Sequence, residues 1–109
     1  MFIDIILTHQ EIKMSKVEDK ICVVIDTLRA SSTIITALGH GCMEIIPVSS
    51  ATEALQLKQS ISYRKHLLGG EIEGQYIDHF HFGNSPLEYT NGMLNGKGLI
   101  LSTTNGTRT

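Results

Sequence analysis

Apolar residues recur along the chain in short uninterrupted runs that are separated by more polar stretches. The runs cover residues 2–7, 21–25, 43–48 and 98–102, and helical patterns fill some of the gaps between them. Continuous runs are typical of strands that are covered on both faces of a parallel sheet. The pattern therefore predicts an α/β fold, with a layered, largely parallel or mixed sheet and helices on both faces.

The best-marked helix follows the third apolar run. That run contains Pro47, which cannot donate to a ladder, so the strand is expected to end near it or to lie at an edge. Ser50 and Glu53 then fit a capping box. The residues that follow predict a helix over 50–62. Its expected face comprises Ala51, Ala54, Leu55, Lys58 and Ile61.

An earlier helix is expected to begin near Ser31 or Ser32 and to end at Gly39 or Gly41, where glycine tolerates a left-handed cap. Because these glycines follow a helix, they do not open a dinucleotide-binding fingerprint, which places its glycines between a strand and a helix start. The residues expected to be buried are Ile34, Ile35, Ala37 and Leu38.

Residues 69–84 show neither a sustained helical face nor a simple strand. Long irregular connections in a compact domain are uncommon and are often functional. A further helix start follows this loop, with Ser85 as the cap, Pro86 at the first helical position and Glu88 three residues after the cap.

The most informative stretch is 21–33, where a buried-strand pattern ends in Asp26 and Arg29 follows. The strand end presents a rigid carboxylate, and the next helix presents unpaired backbone N–H groups and a positive dipole end at the same place. The stretch therefore predicts a site for an anion, with a metal ion, at the carboxyl edge of the sheet. Three hydroxyl residues complete the junction, namely Ser31, Ser32 and Thr33.

Two more polar junctions have the same character, one entering the helix at Ser85 and one following the last strand at 103–109. Hydroxyls, glycine-exposed amides and guanidinium groups together suit a phosphate or a sulfonate. Each junction alone also fits ordinary helix capping, and Arg29 could instead form a structural ion pair with Asp26. The occurrence of three such junctions favours the functional interpretation.

Composition narrows the class of protein. A length of 109 residues predicts one α/β domain over 1–109, and a net charge of −2 with dispersed basic residues argues against nucleic-acid binding. The lack of a long uncharged apolar run or basic leader predicts a soluble, cytoplasmic protein without a membrane partner. The two cysteines are expected to be free and apolar in character.

Some familiar phosphate chemistries do not match the sequence. No P-loop is present, and Leu28 stands where an aspartate-nucleophile phosphatase has its second aspartate. His79 and His81 would lie on one side of an extended segment and could bind a metal ion, but without a nearby third ligand they are expected to be surface or packing residues.

Four blocks of sequence together resemble the 2-phosphosulfolactate phosphatases, the ComB family. The blocks are residues 24–34, 68–71, 82–89 and 103–108, which read V-I-D-T-L-R-A-S-S-T-I, L-G-G-E, F-G-N-S-P-L-E-Y and T-T-N-G-T-R. They occur in the family's order and span nearly the whole chain. No common fold requires G-N-S-P-x-E-Y or T-T-N-G-T-R, so the combination is specific.

The resemblance implies a magnesium-dependent phosphomonoesterase that converts 2-phosphosulfolactate to sulfolactate and phosphate, a step of the route to coenzyme M. Asp26 and Glu71 would be the magnesium ligands, with Asp26 alternatively a covalent nucleophile. Arg29 and Arg108 would bind the phosphate and sulfonate groups of the substrate, and Arg29 would also be a catalytic residue. Further donors to the substrate would be Ser31, Ser32, Asn84, Ser85, Thr103, Thr104, Asn105 and Thr107.

Family members are considerably longer than this chain, which stops just inside the last block. We therefore expect either the N-terminal part of a longer α/β phosphatase, incomplete at its C-terminus, or a truncated homologue. Such a chain could be inactive alone. The alternatives are a phosphatase or phosphotransferase for another small phosphate ester, and a non-catalytic anion-binding module. A homo-oligomer is possible in each case.

Overall fold

The computed structural model describes residues 1–108, and its centre is a parallel sheet of three strands. The strands are β1 (Glu44–Val48), β2 (Leu67–Gly70) and β3 (Gly98–Ser102), in the spatial order β1, β3, β2. β3 pairs in parallel with both neighbours. The α/β class and the parallel sheet predicted from the apolar runs are confirmed.

Every residue of β3 is buried, because the strand has a neighbour on each side and a helical layer on each face. Leu99 and Leu101 contribute to one core cluster, and Ile100 contributes to the other. This division follows from the two-residue period of a strand. β1 lies at an edge of the sheet, as the exposed Pro47 predicted.

Helices cover both faces of the sheet. Ala54 of one helix packs with Ile100, whereas Ala37 of another packs on the opposite face with Leu99 and Leu101. The helices are α1 (Met14–Val17), α2 (Ser32–Gly39) and α3 (Ala51–Gln59), with 3-10 turns at His9–Glu11 and Pro86–Tyr89 and a π-helical turn at Thr27–Ser31.

Residues 2–7 and 21–25 are not strands, so this part of the prediction is wrong. Their apolar side chains are open to solvent, with Phe2 90% and Ile21 98% exposed. A strand needs a neighbour to complete its ladder of hydrogen bonds. Within residues 1–108 neither segment pairs with a strand of the sheet, so apolar character alone does not make these segments strands.

The predicted helix over 50–62 exists but ends earlier. Ser50 Oγ accepts the Glu53 N–H at 3.1 Å, which confirms the predicted start. The helix ends at Gln59 because Ser60 adopts an extended conformation. Ile61 therefore lies outside the helix and is 84% exposed, which corrects its placement on the buried face.

The burial expected for α2 is also partly wrong. Ala37 is fully buried, but Ile35 is 70% exposed and Leu38 is 48% exposed. Thr33 is fully buried instead. Thr33 can occupy this position because its hydroxyl donates to the Asn84 carbonyl oxygen, at 3.3 Å. Burial of a polar side chain is tolerated when it is hydrogen-bonded.

β2 was not predicted, since it has only four residues and two of them are glycine. Gly70 has a φ of +139°, and a Cβ there would lie 1.8 Å from the Ser102 carbonyl oxygen. This close approach brings the end of β2 against the end of β3. The predicted helix start at Ser85 is confirmed, but it opens only the short 3-10 turn Pro86–Tyr89.

Candidate functional site

The carboxyl ends of β2 and β3 open into one polar cavity of about 270 Å³. Glu71 directly follows β2, and Thr103 directly follows β3. Because parallel strands end at the same edge of a sheet, these residues meet although they lie far apart in sequence. The cavity is lined by Asp26, Leu28, Arg29, Glu71, Glu73, Gly74, Asn84, Thr103, Thr104, Asn105 and Gly106.

Glu71 is buried and is held by three hydrogen bonds. Thr104 donates its N–H to Oε1 at 2.7 Å and its hydroxyl to Oε2 at 2.8 Å. Gly74 donates its N–H to Oε2 at 2.7 Å. Burial by itself raises the pKa of Glu71, but the hydrogen bonds from Thr104 and Gly74 outweigh it, with the nearby Arg29 charge, and hold this pKa below its usual value. Glu71 is therefore an anion at neutral pH that ties two loops together.

Asp26 lies where the first sequence block meets the last. Its carbonyl oxygen accepts the Ser31 N–H at 3.1 Å at the start of the helical turn. A Cβ on Gly106 would lie 2.7 Å from Asp26 Oδ2 and 2.6 Å from the Ala30 Cβ. The side-chain carboxylate of Asp26 has no hydrogen-bond or ion-pair partner within residues 1–108, so it remains available to a ligand.

Arg29 is exposed and lines the main cavity. The alternative of a structural ion pair with Asp26 is not seen, since the ion pair found within the described residues joins His66 to Glu44. The positive charge of Arg29 contributes to the lowered pKa of both Glu71 and Glu88. Its guanidinium is therefore free to meet an anion that enters the cavity.

A second, smaller cavity of about 190 Å³ adjoins the first and shares Arg29 with it. Its wall contains Glu88, whose Oε1 accepts the Tyr76 hydroxyl at 2.5 Å and the Gly83 N–H at 3.0 Å. Burial raises the pKa of Glu88, but these hydrogen bonds lower it below its usual value overall. The second cavity also includes Ser85.

Sequence reasoning missed several residues that line the cavities, among them Glu73, Gly74, Tyr76, Glu88 and Gly106. Glu88 and Gly106 lie inside two of the four family blocks, so the blocks carried a signal for them. Glu73, Gly74 and Tyr76 lie in the irregular loop, where no pattern distinguishes a cavity wall from an ordinary surface.

Asn84, like Glu71, is a buried polar residue that lines both cavities. It is 8% exposed, and its side-chain Oδ1 is buried without a hydrogen-bond partner in the part of the chain that the structure describes. Its backbone is fixed by Thr33 of α2. A buried acceptor without a partner marks a place where a ligand or a water molecule would complete the structure.

Several other residues that were predicted to bind substrate form hydrogen bonds within the protein. Ser32 Oγ donates to the Thr27 carbonyl oxygen at 2.6 Å, and Thr107 exchanges hydrogen bonds with Thr103, including Thr103 N–H to Thr107 Oγ1 at 2.8 Å. Arg108 Nε donates to the Ser49 carbonyl oxygen at 3.3 Å. The substrate-binding roles of these residues stay predictions. The members of the predicted set that line neither cavity are Ser31, Ser32, Thr107 and Arg108.

The donors in the main cavity fit magnesium better than a transition metal. No group of three His, Cys, Asp or Glu side chains suited to a metal ion occurs within residues 1–108. His81 is occupied elsewhere, since its Nδ1 accepts the Leu68 N–H at 2.9 Å. Magnesium is commonly bound by one or two carboxylates together with water and substrate phosphate. Asp26 and the orphaned Asn84 Oδ1 supply hard oxygen atoms of that kind.

A family model described as 2-phosphosulpholactate phosphatase matches residues 6–109. The chain belongs to the 2-phosphosulpholactate phosphatase family. A probable 2-phosphosulfolactate phosphatase of Clostridium acetobutylicum is 50% identical over 109 residues, which cover 99% of this chain and 46% of that protein. The protein of the same description from Clostridium tetani is 48% identical over 108 residues, with the same coverage.

A more distant member of the phosphatase family, from Caldanaerobacter subterraneus subsp. tengcongensis, is 45% identical over 108 residues. The chain spans less than half the length of these relatives, 45% to 46% in each case. Among the described residues, no helix combines the length and the apolar character that crossing a bilayer requires.

Proposed function

We propose that this chain carries part of the active site of a phosphatase that hydrolyses 2-phosphosulfolactate to sulfolactate and inorganic phosphate with the help of magnesium. One observation carries the proposal: Asp26 and Arg29 of the first sequence block and Glu71 of the second line one cavity at the carboxyl edge of the sheet. The family membership and the names of the relatives support the same reaction.

Arg29 is the group best suited to receive the substrate. Its planar guanidinium can form two parallel hydrogen bonds with a phosphate or a sulfonate. It is exposed and has no hydrogen-bond partner within residues 1–108. Because Arg29 lies between the two cavities, we propose that it contacts the phosphate in one cavity while another anionic group of the substrate occupies the other.

The charge of the cavity supports a metal-assisted reaction. Asp26, Glu71 and Glu73 contribute three carboxylates to the lining, against one guanidinium. A substrate with three anionic groups would be repelled by such a wall unless a cation offset the charge. Magnesium, when bound, would neutralise charge on the phosphoryl oxygens as the ester bond breaks. Asp26 would act as its ligand or, in the other mechanism that we consider, as a covalent nucleophile.

The alternatives use the same cavity. The chain would act on another small phosphate ester if the second cavity accepts a group other than a sulfonate. It would be an anion-binding module without turnover if the cradle lacks a group that activates the nucleophile.

A phosphate-release assay distinguishes these functions. It would compare 2-phosphosulfolactate with phospholactate and phosphoglycolate, with magnesium and with a chelator, on this chain and on any longer form of the gene product. Metal-dependent release that is fastest with 2-phosphosulfolactate supports the proposal. Faster phosphate release from another ester would identify that ester as the substrate in place of 2-phosphosulfolactate. Thermal stabilisation by phosphate without product release would favour the anion-binding module. Coenzyme M synthesis, a cytoplasmic location and a homo-oligomer remain predictions.

A further inference from the structure

The unpartnered Oδ1 of Asn84 would be satisfied by a ligand that carries positive charge or donates a hydrogen bond. A buried acceptor left unsatisfied costs about 1–3 kcal/mol. Asn84 lines both cavities, its Oδ1 is buried, and residues 1–108 provide no donor for that oxygen. The neutral donor role predicted for Asn84 does not explain this oxygen.

The proposed substrate does not supply such a donor. Phosphate, sulfonate and carboxylate groups are acceptors when they are ionised, so they would meet Asn84 Oδ1 acceptor to acceptor. A metal ion would provide a partner for the unpartnered amide oxygen of Asn84 and would also reduce the negative charge of the cavity. Magnesium and manganese share a preference for oxygen ligands.

Glu71 is poorly placed to be the principal metal ligand, although its carboxylate lines the cavity. Its two oxygens already accept three hydrogen bonds, from Thr104 and Gly74. A carboxylate has about four acceptor positions, so little capacity remains for a metal ion. The carboxylate of Asp26, by contrast, accepts no hydrogen bond from residues 1–108.

We propose that the carboxylate of Asp26 and Oδ1 of Asn84 hold the divalent cation, and that Glu71 is a positioning residue that fixes the Gly74 and Thr104 loops around it. The inference rests on the proposed function in that it concerns the metal ion of that reaction. It assigns to Asn84 the task of a ligand and removes that task from Glu71.

The test is manganese binding to the 109-residue chain, measured by isothermal titration calorimetry and by electron paramagnetic resonance of the free ion. We expect one Mn²⁺ per chain. Asn84→Leu should weaken binding at least about tenfold, since even residues that only support metal ligands have effects of 10–100-fold. Asn84→Asp should bind at least as tightly as the wild type, because it keeps the oxygen and adds charge. Asn91→Leu, which alters an exposed asparagine outside both cavities, should bind as the wild type does.

Glu71→Gln shows whether the Glu71 carboxylate is a metal ligand or a residue that positions the loops. If Glu71 positions the loops, this variant should melt at a lower temperature but bind Mn²⁺ within about threefold of the wild type once folded. A thermal melt of each variant shows whether it is folded, and Asn84→Asp provides the decisive comparison if Asn84→Leu does not fold.

Any one of four results would overturn the inference. The first is no Mn²⁺ binding by the wild-type chain at millimolar concentration, and the second is unchanged affinity in folded Asn84→Leu. The third is weaker affinity in Asn84→Asp, and the fourth is loss of binding in a fully stable Glu71→Gln. Unchanged affinity in Asn84→Leu would assign the buried oxygen to a water molecule. Metal binding that follows our expectations, together with no phosphate release by a longer form of the gene product, would refute the proposed function but not this site.

Discussion

Gly106 and Asp26 are in such close contact that a methyl group on the glycine would lie 2.7 Å from the aspartate Oδ2. These two residues belong to the last and the first of the family blocks, separated by eighty positions. The contact explains in physical terms why the threonine-rich loop after β3 contains a glycine at this point. Both residues line the main cavity.

Gly106→Ala should therefore impair the site more than the fold. The new methyl group would displace either the loop or the Asp26 carboxylate, so we expect Mn²⁺ affinity, and phosphate release where it occurs, to fall at least about tenfold, as for a residue that supports metal ligands. Calorimetry and the phosphate assay measure these effects. Gly39→Ala is the matched control, because a methyl group there has no neighbour within 4 Å. Equal behaviour of the two variants would show that the contact has no functional consequence.

Gly70→Ala should test how β2 and β3 are joined. The methyl group would lie 1.8 Å from the Ser102 carbonyl oxygen, and Gly70 has a φ of +139°. Overpacking and an unfavourable backbone conformation together should lower the free energy of unfolding by about 3 kcal/mol or more. Gly74→Ala also has a positive φ, +79°, but no neighbour, so it should cost only about 1–2 kcal/mol. Urea denaturation would measure both, and equal losses would argue against the contact.

The sequence predicts the parts of the fold that local patterns specify. β1, β3 and the start of α3 follow from apolar runs and from the Ser50 cap. β2 escapes prediction because its position depends on contacts with Ser102 rather than on its own composition. The opposite error concerns residues 2–7 and 21–25. Their apolar runs predict strands, but within residues 1–108 neither run has a partner strand, and neither forms one.

The candidate site shows the same division. Asp26, Arg29, Glu71 and Asn84 were predicted as site residues from polar junctions and family blocks, and they line one cavity. What each of them does depends on its partners in space. The saturation of the Glu71 carboxylate by Thr104 and Gly74 is invisible in the sequence, as is the orphaned oxygen of Asn84.

Tyr89→Phe should loosen the backbone that leads into Asn84. The Tyr89 hydroxyl donates to the Gly83 carbonyl oxygen at 2.5 Å, and the side chain is 1% exposed. Removing the hydroxyl leaves that carbonyl with only the Gly70 N–H as a donor, at 3.2 Å, so the free energy of unfolding should fall by about 0.5–1.5 kcal/mol, the net worth of one hydrogen bond. Tyr63→Phe is the matched control, since Tyr63 is only half-buried, and it should change stability by less than about 0.5 kcal/mol. Urea denaturation of the two variants measures the difference, and an equal effect would contradict the role of the buried bond.

His81 should make the stability of the chain depend on pH between about 7 and 5. Its Nδ1 accepts the Leu68 N–H at 2.9 Å, which requires that nitrogen to be unprotonated. His81 is exposed as a whole residue, but the partial burial of its ring lowers the pKa of His81 below its ordinary value of 6.5, and the positive charges of Lys58 and Lys97 lower it further. The unfolded chain therefore takes up this proton first as the pH falls, so the contribution to stability is complete above about 6.5 and is lost progressively below it.

The measurement for His81 is the melting temperature at pH 7 and at pH 5. Wild type should melt at a lower temperature at pH 5, and His81→Gln should show a smaller difference because a glutamine oxygen accepts the same hydrogen bond without taking up a proton. The lowered pKa values of Glu71 and Glu88 place their own titration below 4.5 and outside this range. His79→Gln, at a histidine that does not accept the Leu68 N–H, should retain the wild-type difference. If His81→Gln retained it as well, the pH dependence would have to arise from another group.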